Sequence, residues 1–110
     1  MNDQSQNQDE EIIDIEEYSK KKQDVPKNKK YQIRIDKTKY VVHVSHMKGR
    51  EILTLAGKTP VEQFRLYQKF NHGQSEDIGY DQMVDFTNPG VERFMTIPLD
   101  QTEGALIHAA

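Results

Sequence analysis

The stretch YQIRIDKTKYVVHV (residues 31–44) alternates apolar and polar residues in two successive runs, which is the pattern of a β-hairpin. The turn is predicted around Lys37 and Thr38. The antiparallel pairs that follow are Ile35 with Tyr40, Ile33 with Val42 and Tyr31 with Val44. Opposed residues point to the same side of a sheet, so these side chains predict an apolar face that another element must cover.

A short helix after the hairpin is the predicted cover. In MKGREILTLAGKTP (residues 47–60) the apolar side chains recur at helical spacing, and Gly57 and Pro60 are typical of a helix end. Those apolar residues are Ile52, Leu53, Leu55 and Ala56. Only half of a capping box is present, with Lys48 where Ser or Thr is preferred, so the N-cap is expected to move to Ser45. A helix of two or three turns is marginal alone and must pack on the sheet.

Two further strands complete the predicted sheet. QFRLYQKF (residues 63–70) alternates in polarity, and VERFMTIP (residues 91–98) is a strand that Pro98 ends. The connection between them has buried candidates in Ile78, Met83, Val84 and Phe86. The order predicts an α+β fold in which one helix packs across a mixed sheet.

Residues 1–30 differ in composition from the rest of the chain. They are dominated by charged and polar residues, and their one apolar cluster is EEIIDIEEY (residues 10–18). Such a segment buries too little surface to offset its ordering entropy. We therefore expect a mobile charged arm, with a short helix from about Asp9 to Lys22 as its most ordered form and Pro26 as its limit.

Composition excludes several classes of function. The 110 residues include no cysteine, which removes disulfides, zinc thiolate sites and cysteine nucleophiles. No apolar run is long enough to span a bilayer and no secretory signal is evident, which predicts a cytoplasmic protein without membrane contact. A net charge of −3 with scattered lysines, KNKK at 27–30 being the densest group, predicts no nucleic-acid binding.

No catalytic or metal-binding constellation is apparent. Asp81, Asp85 and Glu92 lack a nucleophile or a Gly-rich loop beside them, so no catalytic residue is predicted and the chain is not expected to be an enzyme. His43 and His46 have opposite parity on a strand, so their rings point to opposite faces and no metal site is expected.

The stretch LDQTEGALIHAA (residues 99–110) follows the last predicted strand. It runs through polar residues to Gly104 and continues with small and apolar residues. A glycine can thread a narrow channel because it has no Cβ atom. From Leu99 to Gly104 the chain spans at most roughly 20 Å at full extension.

The whole pattern resembles the β-grasp fold of ubiquitin, and more closely the multiubiquitin family, the ubiquitin-like proteins of bacterial ubiquitination-like operons. The resemblance lies in YQIRIDKTKYVVHV, GREILTLAGKTP, FRLYQKF and VDFTNPGVERFMTIPLDQTEG, and covers about residues 31–104. It implies a mobile arm at 1–30, a ubiquitin-like β-grasp domain at 31–98, a conjugation tail at 99–104 and a removable propeptide at 105–110.

Conjugation to other proteins is the function that this resemblance implies. A peptidase would cut between Gly104 and Ala105, and an E1-like enzyme would use ATP to activate the Gly104 carboxylate. An E2-like carrier, charged as a thioester or an oxyester, would then pass the chain to protein targets. These enzymes would recognise the tail residues Leu99, Asp100, Gln101, Thr102 and Glu103. The chain itself would bind no cofactor, and antiviral defence fits the operon class.

Two surfaces are candidates for non-covalent partners. By strand parity Val41, Tyr67 and Met95 are exposed on the sheet, where ubiquitin-like proteins dock partners. The apolar residues of the N-terminal arm, Ile12, Ile13 and Ile15, resemble peptides that add a strand to an open sheet edge. That addition would support self-association or enzyme binding. The alternative is an arm that is mobile or folds as a short helix on its own domain.

Two other functions remain open at the level of sequence. One is a ubiquitin-like binding module that is never conjugated. The other is a sulfur carrier ending in a thiocarboxylate, although such carriers usually end directly in Gly-Gly and need no acidic N-terminal arm. The acidic residues Asp100 and Glu103 also depart from the basic tail of ubiquitin, which argues against activation by eukaryotic enzymes.

Overall fold

The computed structural model describes residues 11–99. Eight strands and two α-helices lie in this range, together with a 3-10 turn at Val61–Gln63. The strands are β1 (Ile12–Asp14), β2 (Lys30–Ile35), β3 (Thr38–Val42), β4 (His46–Lys48), β5 (Phe64–Phe70), β6 (Ser75–Ile78), β7 (Met83–Asp85) and β8 (Val91–Pro98). The helices are α1 (Ile15–Lys20) and α2 (Gly49–Leu55).

A mixed sheet is the centre of the fold. β8 lies between β2, its parallel neighbour at Ile35 and Phe94, and β5, its antiparallel neighbour along almost its whole length. β6 extends the sheet beyond β5, β3 flanks β2 on the other side, and β4 pairs with β7 in a separate two-stranded sheet. The predicted α+β β-grasp architecture, with one main helix across a mixed sheet, is confirmed.

The hairpin forms, but its predicted register is wrong by two residues. Ile35 pairs with Thr38, Ile33 with Tyr40 and Tyr31 with Val42. The turn therefore consists of Asp36 and Lys37, and it is this tight because Asp36 adopts a positive φ of 56°, which aspartate tolerates better than most residues. A shift of two preserves the face of each side chain, so the apolar face survives, but Val44 lies outside the strand and is exposed.

Helix α2 covers the inner face of the sheet as predicted. Ile52 and Leu53 are completely buried. The helix ends as the sequence indicated: Gly57 has a φ of 75°, its N–H donates to Thr54 and the N–H of Lys58 donates to Leu53, which is a Schellman motif.

The predicted shift of the N-cap to Ser45 is wrong. The N-cap of α2 is Lys48, whose backbone N–H donates to the Glu51 carboxylate at 2.8 Å. A lysine ammonium has no acceptor, so only this half of a capping box forms. The first helical N–H groups are satisfied from elsewhere, since those of Gly49 and Arg50 donate to the carbonyls of Gln82 and Tyr80.

The N-terminal segment is packed from residue 12 onward, contrary to the expectation of an arm outside the core. β1 runs parallel to the first half of β2, and α1 follows it between β2 and the first half of β8. Together they fill the fork where β2 and β8 diverge, which buries Ile13, Ile15, Ser19 and Val25. The predicted helix from Asp9 to Lys22 is therefore a short strand followed by a helix within the part of the chain that is described.

The connection between β5 and β8 contributes most of its predicted core residues. Ile78, Val84 and Phe86 are buried, and Phe86 meets Phe94 edge to face with ring centres 6.1 Å apart. Met83 was also predicted to be buried, and this is wrong. It lies in the small β4–β7 sheet opposite Lys48, and its side chain is exposed.

Candidate functional site

The chain leaves the sheet at the end of its central strand. β8 ends at Pro98 opposite Phe64, and the backbone N–H of Leu99 then donates to the carbonyl of Gln63 at 2.7 Å. Leu99 also lines a small surface cavity with Arg65, Gly79 and Tyr80. This backbone contact holds Leu99, the last described residue, against the 3-10 turn that contains Gln63.

The last strand is held from the opposite side by the hairpin turn. The Asp36 carboxylate accepts a hydrogen bond from the Thr96 backbone N–H at 2.9 Å and another from its hydroxyl at 2.6 Å. The Asp36 N–H in turn donates to the carbonyl of Phe94. Three hydrogen bonds thus tie the turn to β8, from whose end the chain leaves the sheet at Leu99, which we call the exit point.

Most of the predicted conjugation site lies outside the described residues. Of the tail residues, Leu99 is described, whereas Asp100, Gln101, Thr102, Glu103 and Gly104 are not, nor is the predicted cleavage position before Ala105. The cleavage and conjugation predictions therefore stay predictions.

The outer face of the sheet carries an apolar groove beside the exit point. Tyr67 and Met95 are cross-strand partners on β5 and β8, and Ile97, two residues further along β8, is exposed over 47% of its surface. With Asp36 and Thr96 they line a groove of about 490 Å³. We call Tyr67, Met95 and Ile97 the exit patch. The sequence analysis missed Ile97, although its parity on the strand is that of Met95.

Val41 lies on the outer face as predicted, but apart from the exit patch. Val41 is on β3, opposite Gln32 of β2, and 42% of its surface is exposed. It does not line the groove. The Gln32 amide donates to Asp14, whose carboxylate also accepts from Lys39 at 2.6 Å. A polar cluster thus occupies the sheet beside Val41, and Val41 is not continuous with Tyr67 and Met95 as one docking surface.

The centre of this polar cluster is a buried carboxylate. Glu16 is only 3% exposed, and its oxygens lie 3.1 Å from Arg34 Nε, 3.3 Å from Lys20 Nζ and 3.8 Å from Lys39 Nζ. Because the hydrogen bond to Asp14 stabilises the charged form of Lys39, the pKa of that ammonium is raised. The cluster fastens β1 and α1 to β2 and β3.

The three N-terminal isoleucines do not form an accessible strand for partners. Ile13 and Ile15 are buried, and β1 pairs with β2 of its own chain, Ile13 lying opposite Tyr31. Their prediction as partner-binding residues is therefore wrong. Ile12 has the opposite parity, with 47% of its surface exposed. For Ile12, as for Val41, Tyr67 and Met95, a binding role stays a prediction.

Two other kinds of feature, a metal site and a membrane-spanning helix, are absent from residues 11–99. No three side chains of the metal-ligating types come together there, and no helix in that range has the length and apolar character to cross a membrane.

The fold defines the class of protein. A helix held by a mixed sheet, with the last strand central and the chain leaving from its end, is the ubiquitin-like arrangement. The multiubiquitin family model matches residues 31–98, and the chain belongs to that family of ubiquitin-like proteins. No curated protein and no solved structure matches the chain. The β1–α1 segment lies outside the matched range, although it contributes to the core.

Proposed function

We propose that the protein is a modifier that is joined to other proteins through the carboxyl group of Gly104. In this proposal a peptidase removes whatever follows Gly104, and an E1-like enzyme activates the new carboxylate with ATP. A carrier of the E2 type then transfers it to an amine of a target protein. The chain is the group transferred and performs none of these steps itself.

The observation that carries the proposal is the exit of the chain from the central strand. β8 is bonded on both sides, and Leu99 is held by the carbonyl of Gln63. Four residues lie between Leu99 and Gly104, which gives the tail a reach of at most roughly 20 Å. Delivery of a glycine into a neighbouring active site requires a short tail that starts from a fixed position, here Leu99. Such positioning lowers the entropic cost of the reaction.

The exit patch fits the docking of the enzymes that act on Gly104. An active site that receives Gly104 lies within that reach of the exit point, so its protein must also cover the nearby sheet surface. Tyr67, Met95 and Ile97 present apolar surface there, with Arg65 opposite Ile97. Ile97 is exposed and the other two are half-buried, and partly accessible aromatic and aliphatic side chains beside a charge are typical of interfaces.

The test uses the full chain in cells that naturally carry its gene. An N-terminally tagged copy is recovered under denaturing conditions and digested with trypsin. Cleavage after Arg93 leaves residues 94–104 as a branch on any modified amine. We expect that branch on target lysines for the wild type and for the control Asn88→Asp, which adds a carboxylate at an exposed position before β8, and its loss for Gly104→Asp.

A non-covalent binding module is the second candidate, and the observation that favours it is the exit patch, in which Ile97 is exposed and Tyr67 and Met95 are half-buried. A module of this kind would bind partners through Tyr67 and Ile97 whether or not Gly104 is present. The module explains the protein better if Gly104→Asp leaves the partners recovered under native conditions unchanged, and the denatured wild-type preparation contains no branched peptide. A sulfur carrier would instead show a Gly104 thiocarboxylate and no branched peptides.

A further inference from the structure

The two helices in the described part of the chain end in the same way but with different residues. In α1, Lys22 occupies the position that Gly57 holds in α2: its N–H donates to Ser19, and the N–H of Gln23 donates to Tyr18. Lys22 has a φ of 57° and Gly57 a φ of 75°. Glycine is strongly favoured here because a Cβ atom is strained in the left-handed region.

Lys22 is the unusual member of its group. Within residues 11–99 the other non-glycine residues with positive φ are Asn28 and Asp36, which are residue types that adopt this conformation routinely. Asp36 also has a visible reason, since its carboxylate binds Thr96. Lys22 is exposed, and no ion pair to it is found among the residues that the structure describes. Its backbone ends the helix as Gly57 does in α2, but the strain of its Cβ atom is not offset by any described contact of its side chain, which points to a function of that side chain.

The location of Lys22 is opposite to the exit point. The end of α1 is anchored to the start of β8, since the Ser19 hydroxyl donates to Gly90 at 3.1 Å and the Asn71 amide donates to the Ser19 carbonyl at 2.9 Å. The tail leaves at the other end of the same strand, after Pro98. Seven residue steps along a strand separate these ends by roughly 23 Å. This arrangement suits a linkage from the tail of one copy to the helix end of the next.

Charge also favours a second copy as the partner. The run Lys20-Lys21-Lys22 is basic. The Lys20 ammonium forms an ion pair with Glu16 at 3.3 Å, so Lys21 and Lys22 supply the positive charge that a partner would meet. The tail before Gly104 carries Asp100 and Glu103. Opposite charges of this kind steer two surfaces together, and this attraction weakens as the ionic strength rises.

We propose that Lys22 is the acceptor amine for the Gly104 carboxyl group of a second copy, so that the protein forms head-to-tail chains. The uncharged Lys22 Nζ attacks the Gly104 carbonyl carbon of a copy held as an ester or thioester on its carrier. An amide bond forms, the bond to the carrier oxygen or sulfur breaks, and the carrier regains its hydroxyl or thiol with the proton that the amine loses. This inference rests on the proposed conjugation of Gly104.

The experiment maps the acceptor in the same tagged preparations. We expect a tryptic peptide that ends at Lys27 and carries residues 94–104 on Lys22, and products heavier by whole copies of the chain. Lys22→Arg keeps the charge and the backbone conformation, and should remove at least nine tenths of these products. The control Lys37→Arg, at another exposed lysine, should leave them unchanged.

The outcomes separate this inference from the proposed function. Branches on other proteins with none on Lys22 would overturn the acceptor assignment and leave conjugation intact. Copy-to-copy products that survive in Lys22→Arg would overturn it as well. Absence of every branched peptide would overturn both. A stability readout completes the test: Lys22→Gly should raise the midpoint of thermal unfolding by several degrees while abolishing the chains, which a purely structural role would not produce.

Discussion

The carboxylate of Asp36 binds both the backbone N–H and the hydroxyl of Thr96, at 2.9 Å and 2.6 Å, and so links the first hairpin to the strand that ends in the tail. Sixty residues separate the two in sequence. Asp36→Ala removes both acceptors and places alanine at a φ of 56°. We expect the free energy of unfolding to fall by about 1–3 kcal/mol, measured by urea denaturation.

Asp36→Asn is the matched control for that change. Asparagine tolerates the same backbone conformation and retains one acceptor, so its loss of stability should be smaller than that of Asp36→Ala. An alanine variant as stable as the wild type would show that the turn and β8 are not coupled through this carboxylate.

The contribution of the polar cluster to stability can be tested at the buried Glu16, with the exposed Glu17 of the same helix as its control. Glu16→Ala leaves Arg34 Nε without its ion-pair partner, whereas Glu17 is exposed. The arginine and lysine partners keep about a third or more of their side-chain surface in water, which reduces the cost relative to a fully buried pair. We expect Glu16→Ala to lower the free energy of unfolding by about 1–3 kcal/mol, and Glu17→Ala by less than about 0.5 kcal/mol.

Equal effects of the two substitutions would contradict this account of the polar cluster. The same denaturation curves at high salt provide a further check. The difference between the variants should shrink only partly, because Glu16 is shielded from solvent ions while its partners are not.

The glycines at the start of α2 and in the loop above it form another matched pair. A Cβ atom on Gly49 would overlap the carbonyl oxygen of Gly79, whereas a Cβ atom on Gly79 would meet nothing closer than 3.8 Å. Gly49→Ala should therefore destabilise the protein by about 1–3 kcal/mol despite the helix propensity of alanine. Gly79→Ala should change stability by less than about 0.5 kcal/mol, and a stable Gly49→Ala would disprove the close approach.

The loss of stability at low pH tests the contribution of the ionised Asp85 carboxylate. Burial raises the pKa of this carboxyl, but hydrogen bonds from the Thr87 N–H and hydroxyl, and the nearby His46, outweigh it, so the pKa is lowered. The ionised carboxylate therefore stabilises the fold at pH values above its pKa in the unfolded chain, which is about 3.9. This stabilisation is lost as the pH falls through the lower pKa that the group has in the folded protein.

The variant Asp85→Asn isolates that contribution. It should be less stable than the wild type at pH 6, with the difference shrinking steadily below about pH 4, as followed by thermal unfolding across pH. A difference that is the same at pH 6 and at pH 2.5 would show that the loss arises from packing and not from the ionised carboxylate.

The elements with strong local signals could be predicted from sequence. The alternation in residues 31–44 and 63–70 placed the strands, and Gly57 and Pro60 marked the end of α2. The hairpin register was missed because it depends on the positive φ of Asp36, which most residue types at this position would not allow.

The role of the N-terminal segment was missed for a different reason. Its acids suggested a solvated arm, but Glu16 is neutralised by Arg34 and Lys39, which follow it by 18 and 23 residues. Composition cannot reveal such pairing, because it arises only once β2 and β3 have formed. Of the candidate site, the parity of Tyr67 and Met95 was readable from the strands, whereas the separation of Val41 required the order of strands in the sheet.

Peptide mass spectrometry of the protein from cells that naturally carry its gene tests the central claim most directly. The account predicts residues 94–104 joined through the Gly104 carbonyl to lysines of other proteins, with the residues after Gly104 absent. It also predicts that Gly104→Asp abolishes these adducts. Recovery of the wild type with an uncut bond after Gly104 and no branched peptides, or adducts that persist in Gly104→Asp, would contradict the account.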